Sequence, residues 1–125
     1  MLTSIQTPDA PQAIGTYSQA IRAGDTLYLS GQIGLDPASG DLVAGFESQA
    51  HRIFRNLAAV AAAGGASLAD AVRATVYLTD LADFPKLNEI MAGYFGPPFP
   101  SRSTVQVAAL PRGALVEVDL ILVRG

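Results

Sequence analysis

Two runs of alternating apolar and polar residues, 102–109 and 114–123, flank Leu110-Pro111-Arg112-Gly113, and this pattern constrains the chain more than any other stretch. Period-two alternation with β-branched enrichment predicts strands, and the turn chemistry between them predicts a β-hairpin. In that hairpin Val105, Val107 and Ala109 share a core face with Val116, Val118, Leu120 and Leu122. Arg102, Thr104 and Gln106 share the other face with Glu117 and Asp119. With Arg112 and Gly113 as a two-residue loop, Thr104 faces Ile121 and Arg102 faces Val123. Arg102 and Glu117 then stand about six strand positions apart, roughly 20 Å. They cannot meet within one hairpin, so joint action on one small molecule requires a second copy of the chain.

Composition narrows the classes further. A chain of 125 residues, 50% apolar and 15% charged, predicts one globular domain over residues 1–125 with a substantial core. The net charge is −3 and Lys86 is the only lysine, so no basic cluster is present to track a phosphate backbone, and nucleic acid is not expected as a partner. The absence of cysteine rules out a thiol nucleophile and thiolate metal ligands, and with His51 as the single histidine neither a zinc site nor a Ser-His triad is expected. No stretch approaches the ~20 apolar residues of a membrane span, and the first residues lack a basic segment followed by an apolar run. The expectation is a soluble, cytoplasmic protein without membrane association.

Along the chain, short strands are predicted at 2–6, 19–23 and 26–33, the last two joined by a turn at Gly24-Asp25. Gly31 interrupts the third, which reads equally as an ordinary kink or as the mark of a bulge or of a close approach by a ligand or another backbone. From Gly45 the period changes: Phe46, Ala50, Ile53, Phe54, Leu57, Val60 and Ala61 form one helical stripe that Gly64-Gly65 closes. His51 lies off that stripe with no evident fixed partner, which reads as a surface position. Residues 71–78 alternate again as a strand, Asp80 is a candidate N-cap, and Phe84, Leu87, Ile90, Met91, Tyr94 and Phe95 trace a second helix with Asn88 beside its stripe. The order implies an α+β fold, a mostly antiparallel sheet with two helices on one face. The other face, expected to bear Arg102 and Glu117, is left to solvent or to another subunit.

Several segments together resemble the Rid/YjgF family of reactive-intermediate deaminases: residues 10–20 (Ala-Pro-Gln-Ala-Ile-Gly-Thr-Tyr-Ser-Gln-Ala), Leu29-Ser30-Gly31-Gln32-Ile33, Asn88, residues 100–105 and residues 110–118. The resemblance runs nearly end to end and in the family's order. It implies a chorismate-mutase-like subunit that assembles as a homotrimer around a central barrel, with sites between subunits. It also implies cofactor-independent hydrolysis of 2-imino acids, derived from enamines such as 2-aminoacrylate, to 2-keto acids and ammonia. On this resemblance Arg102 grips the substrate carboxylate and Glu117 handles the attacking water, while Tyr17, Ser30, Gly31, Asn88 and Thr104 line the pocket. Two positions depart from common family forms: Thr16 stands where proline usually precedes the tyrosine, and Thr104 where many members have cysteine. The first loosens the loop that carries Tyr17, and the second excludes thiol chemistry at that position.

The residue types suit that chemistry. A guanidinium offers a planar carboxylate two charge-assisted hydrogen bonds, and a carboxylate beside a water can take its proton and later return it to a departing amine. A lysine Schiff base is the rival imine chemistry, with Lys86 as its sole candidate on an exposed helix face. Two other readings compete with catalysis. Arg102 and Glu117 could be an interfacial ion pair, or the same fold could bind keto acids as a non-catalytic, regulatory trimer. A nuclease or translation-inhibitor role fits the acidic composition poorly.

Overall fold

The computed structural model describes residues 1–125. It has six strands, β1 (Leu2–Ile5), β2 (Ala20–Ala23), β3 (Thr26–Gln32), β4 (Ala71–Leu78), β5 (Ser101–Gln106) and β6 (Val116–Val123), and two helices, α1 (Phe46–Ala63) and α2 (Phe84–Met91). The strands form one sheet in the order β1-β2-β3-β6-β4-β5, antiparallel throughout except for the parallel pair β4–β5. The fold is a mixed α+β one, and no helix is long and apolar enough to cross a membrane.

Local chemistry explains the elements. Gly24, in the left-handed region at φ 61°, turns β2 back onto β3. Ala50, Ile53, Phe54, Leu57, Val60 and Ala61 of α1 are buried, as the 3.6-residue stripe requires. The Asp80 carboxylate accepts from the Ala82 N–H at 2.9 Å and caps the turn Leu81–Asp83 that leads into α2. Asp80→Ala should therefore cost about 1 kcal/mol in urea denaturation, within the usual range for losing such a cap.

One sheet face carries the core. Leu29 pairs with Leu120 and Leu120 with Ala74, while Val118 pairs with Val76 and Val116 with Leu78. These side chains join α1 and the α2 residues Leu87, Ile90 and Met91 in one cluster of 24 buried residues. Both helices thus cover a single face, and the opposite face, with Tyr28, Thr75, Tyr77, Val105, Glu117, Asp119 and Ile121, is covered by nothing in the chain.

The predicted C-terminal hairpin does not form. β5 pairs with β4 in parallel, Arg102 opposite Ala74 and Thr104 opposite Val76, and β4 separates β5 from β6. The backbone of residues 107–115 passes around the end of β4: the Val107 N–H donates to the Leu78 carbonyl at 2.8 Å, and the Thr79 N–H to the Leu115 carbonyl at 3.2 Å. The turn residues behave as their chemistry dictates, with Arg112 at φ 61° and Gly113 at φ 72°, but Arg112 donates to the Gly40 carbonyl at 2.8 Å instead of closing a two-residue loop. The physical reason is that β4 is a central strand. Ala74, Val76 and Leu78 are fully buried, and both backbone edges need partners, which β5 and β6 supply from either side.

This pairing also reverses the faces assigned to β5. A shift of one residue moves every side chain to the opposite side. Arg102, Thr104 and Gln106 lie on the helix side, opposite Ala74, Val76 and Leu78, whereas Val105 joins Glu117 on the bare face and is 42% exposed. Val107 and Ala109 are not part of the core.

Candidate active site

Two of the residues singled out meet at the β5 edge. The Arg102 guanidinium lies over the Phe84 ring, 5.0 Å from its centroid, and Nη1 donates to Asn88 Oδ1 at 3.0 Å and contacts Met91 Sδ at 3.6 Å. Strand β5 delivers the arginine, α2 delivers Asn88 and Met91, and the aromatic face holds the cation by its quadrupole. No carboxylate pairs with Arg102: the ion pairs of the chain are Lys86 with Glu47 and Glu89, and Arg124 with Asp25. Its Nη2 and Nε have no protein acceptor. The group borders a cavity of about 380 Å³ lined by Asn88, Met91, Ala92, Phe95, Phe99, Pro100 and Arg102.

Thr104 stands two residues along the same strand, its Oγ1 buried without a partner. Because the Val107 N–H points to β4, alternation turns the N–H and C=O groups of Arg102 and Thr104 to the free edge of the sheet.

A second group lies on the bare face. Glu117 crosses Gly31, where any Cβ would collide with the Glu117 carboxylate, its Cδ only 3.0 Å away. One extra residue in β3 between Leu29 and Gln32 forms a bulge at this point, so the glycine marks both a bulge and a close approach. Burial raises the proton affinity of Glu117 above the ordinary carboxylate value of 4.5, and the charge of Asp119 raises it further. Neighbouring Ser30 donates its hydroxyl to the Ser18 carbonyl at 2.6 Å and its N–H to the Gln19 carbonyl at 3.0 Å, which ties the bulge to the base of the loop that carries Tyr17. Tyr17 is 55% exposed.

The two groups do not come together in one chain. Arg102 is level with Ala74 and Glu117 with Tyr77, three positions along β4 and two strands apart, so their Cα atoms are about 14 Å from each other. Their side chains also leave opposite faces of the sheet. The hairpin distance of roughly 20 Å is thus replaced by a shorter separation with a stronger barrier, the sheet itself.

Sequence reasoning missed several contributors. Helical spacing reports Phe84 only as part of a buried stripe, yet it seats Arg102. Gln19, 2% exposed, accepts from the Thr7 N–H at 2.7 Å and donates to the Pro11 carbonyl at 2.8 Å, clamping the Tyr17 loop. His51 does have a fixed partner, Nδ1 lying 2.7 Å from the Tyr94 hydroxyl, and it stays outside both groups. Lys86 is on the exposed side of α2 with Glu47 and Glu89, away from Arg102 and Glu117.

These features define a class: a two-layer α+β fold with an arginine that no carboxylate pairs at its parallel sheet edge and a carboxylate of raised proton affinity on an uncovered sheet face. The chain belongs to the Rid/YjgF family, whose model, described as Endoribonuclease L-PSP, matches residues 7–124. It is 46% identical over 120 residues to a 2-iminobutanoate/2-iminopropanoate deaminase of Dermatophagoides farinae, covering 95% of this chain and 94% of that protein. The crystal structure of RidA from the Antarctic bacterium Psychrobacter sp. PAMC 21119 superposes with a TM-score of 0.95 at 50% identity, over 97% of this chain and 98% of that one. A crystal structure of E. coli TdcF with bound serine superposes with a TM-score of 0.93 at 37% identity, over 98% and 99%.

Proposed function

We propose that the protein hydrolyses 2-imino acids to 2-keto acids and ammonia at a site shared between subunits of a homotrimer. The observation that carries this reading is the Arg102 guanidinium, which is fixed by Asn88, Met91 and Phe84 yet has no carboxylate in its own chain. Its unused fork suits the planar carboxylate of an imino acid. The deaminase of D. farinae and the serine-bound TdcF structure support a small substrate of this kind.

In the reaction, water attacks the C=N carbon, the π electrons pass to nitrogen, and Glu117 takes the proton from water. Glu117 gives that proton to the nitrogen to form a carbinolamine. As the C–N bond then breaks, the O–H electrons of the hydroxyl close the C=O bond and Glu117 carries the hydroxyl proton to the departing nitrogen, so both protons of the water leave in ammonia beside the keto acid. Tyr17, Ser30, Gly31, Asn88 and the free N–H of Thr104 line the site. A neighbouring subunit docked on the bare sheet face, in the barrel arrangement of a chorismate-mutase-like trimer, brings one chain's Arg102 to another's Glu117. Light scattering at micromolar concentration should give about three times the 13.0 kDa chain mass, and a fully active monomer would remove the shared site.

The functional test generates 2-iminopropanoate in situ and follows its decay and the ammonia released. Acceleration by the protein is the expected result. Keto-acid binding without acceleration would instead establish the regulatory, non-catalytic reading.

A further inference from the structure

Three ionisable groups that are neighbours on the bare face have raised proton affinities: Tyr77, Glu117 and Asp119. Glu117 and Asp119 are two residues apart on β6 and therefore project from the same side. Tyr77 is the cross-strand partner of Glu117, but its hydroxyl donates diagonally to Asp119 Oδ2 at 3.2 Å. Thr75 is the cross-strand partner of Asp119, and Thr75 and the positive charge of Arg73 both favour the charged form of Asp119. The guanidinium of Arg73 is itself held by Ser103 Oγ at 2.6 Å. The remaining titratable group on this face is Tyr28 of β3, and β5 contributes none beside the pair.

The two carboxylates are thus unequally supported. Burial raises both, but the Tyr77 hydrogen bond, Thr75 and the Arg73 cation favour the charged form of Asp119, while Glu117 has only burial and the charge of Asp119, both of which favour protonation. Paired acids whose surroundings differ in this way divide the work of holding charge and carrying protons.

We propose that Asp119 is a positioning residue: fixed by the Tyr77 hydroxyl, across from Thr75 and with Arg73 as counter-charge, it stays ionised beside Glu117 and makes Glu117 the member of the pair that takes up and returns the proton. The inference deepens the proposed function and rests on it for its catalytic meaning. The geometry between the two carboxylates does not.

The test reads both. Side-chain carboxyl resonances of Glu117, labelled with carbon-13, would be titrated in the wild type and in Asp119→Asn, which keeps an oxygen for Tyr77. The Glu117 midpoint should move to lower pH, and the acid limb of kcat/KM for 2-iminopropanoate should move down with it. An unmoved Glu117 midpoint would overturn the inference. A moved midpoint with an unmoved limb would uphold the coupling while removing Glu117 from the chemistry. Arg73→Gln gives an independent arm: the Asp119 midpoint should rise toward that of Glu117, and an Asp119 midpoint indifferent to this change would also overturn the assignment.

Discussion

Glu117→Gln should lower kcat by about 10²–10⁴, the usual span for loss of a general acid–base group, while pyruvate or 2-ketobutyrate binding measured by calorimetry stays near the wild-type value. Glutamine keeps the shape that lies across Gly31 and removes only the proton transfer. Unfolding cannot account for such a loss. The folded chain binds the Glu117 proton more tightly than the unfolded chain, so this carboxylate contributes most stability below its ordinary value of 4.5 and loses it as pH rises through its higher folded value. At neutral pH the substitution should therefore leave the melting temperature unchanged or raise it, with any gain fading in acid. Wild-type turnover by this variant would leave Glu117 as a structural group of the subunit interface.

Arg102→Lys should lower kcat/KM by about 10²-fold, because both affinity and orientation are lost. Lysine keeps the charge, but a single ammonium cannot hold Asn88 Oδ1 and still present two parallel donors to a carboxylate. The stacking of a planar cation on Phe84 is lost as well. The comparison with Glu117→Gln separates the roles, since keto-acid binding should weaken in the arginine variant and persist in the glutamate variant. Equal binding by both would mean that Arg102 does not hold the carboxylate.

Most elements of this fold were legible because each is specified locally. The stripe of α1 and the alternation of β4 and β6 each follow from the residue spacing that one buried face demands. Strand pairing was not legible in the same way. The turn Leu110–Gly113 carries hairpin chemistry and adopts left-handed angles, yet β4, more than twenty residues earlier, takes the place between the two strands. That competition is decided by the burial of Ala74, Val76 and Leu78, a long-range term that local turn residues do not report.

The same limit applies to polar residues. Gln49 and Asn56 sit buried on α1 because Gln49 Oε1 accepts from the Leu115 N–H at 2.9 Å and Asn56 Nδ2 donates to the Leu35 carbonyl at 2.9 Å, and such partners cannot be read from helix spacing. The bulge at Gly31 was legible as one of the roles a glycine inside a strand takes, but what comes close to it is a side chain and not the ligand or backbone such a glycine suggests. The identity of its neighbour, Glu117, came only with the register of β3 on β6.

That Arg102 and Glu117 cannot meet in one chain survived the loss of the hairpin, and subunit complementation tests it directly. Arg102→Ala and Glu117→Gln proteins, each inactive alone, would be unfolded together, refolded as mixed oligomers and assayed for 2-iminopropanoate hydrolysis. If each site takes Arg102 from one subunit and Glu117 from another, random mixing in equal amounts restores about a quarter of the sites and a matching share of wild-type activity. Mixed oligomers as inactive as their parents would show that both residues of a working site come from the same chain, and would contradict the account.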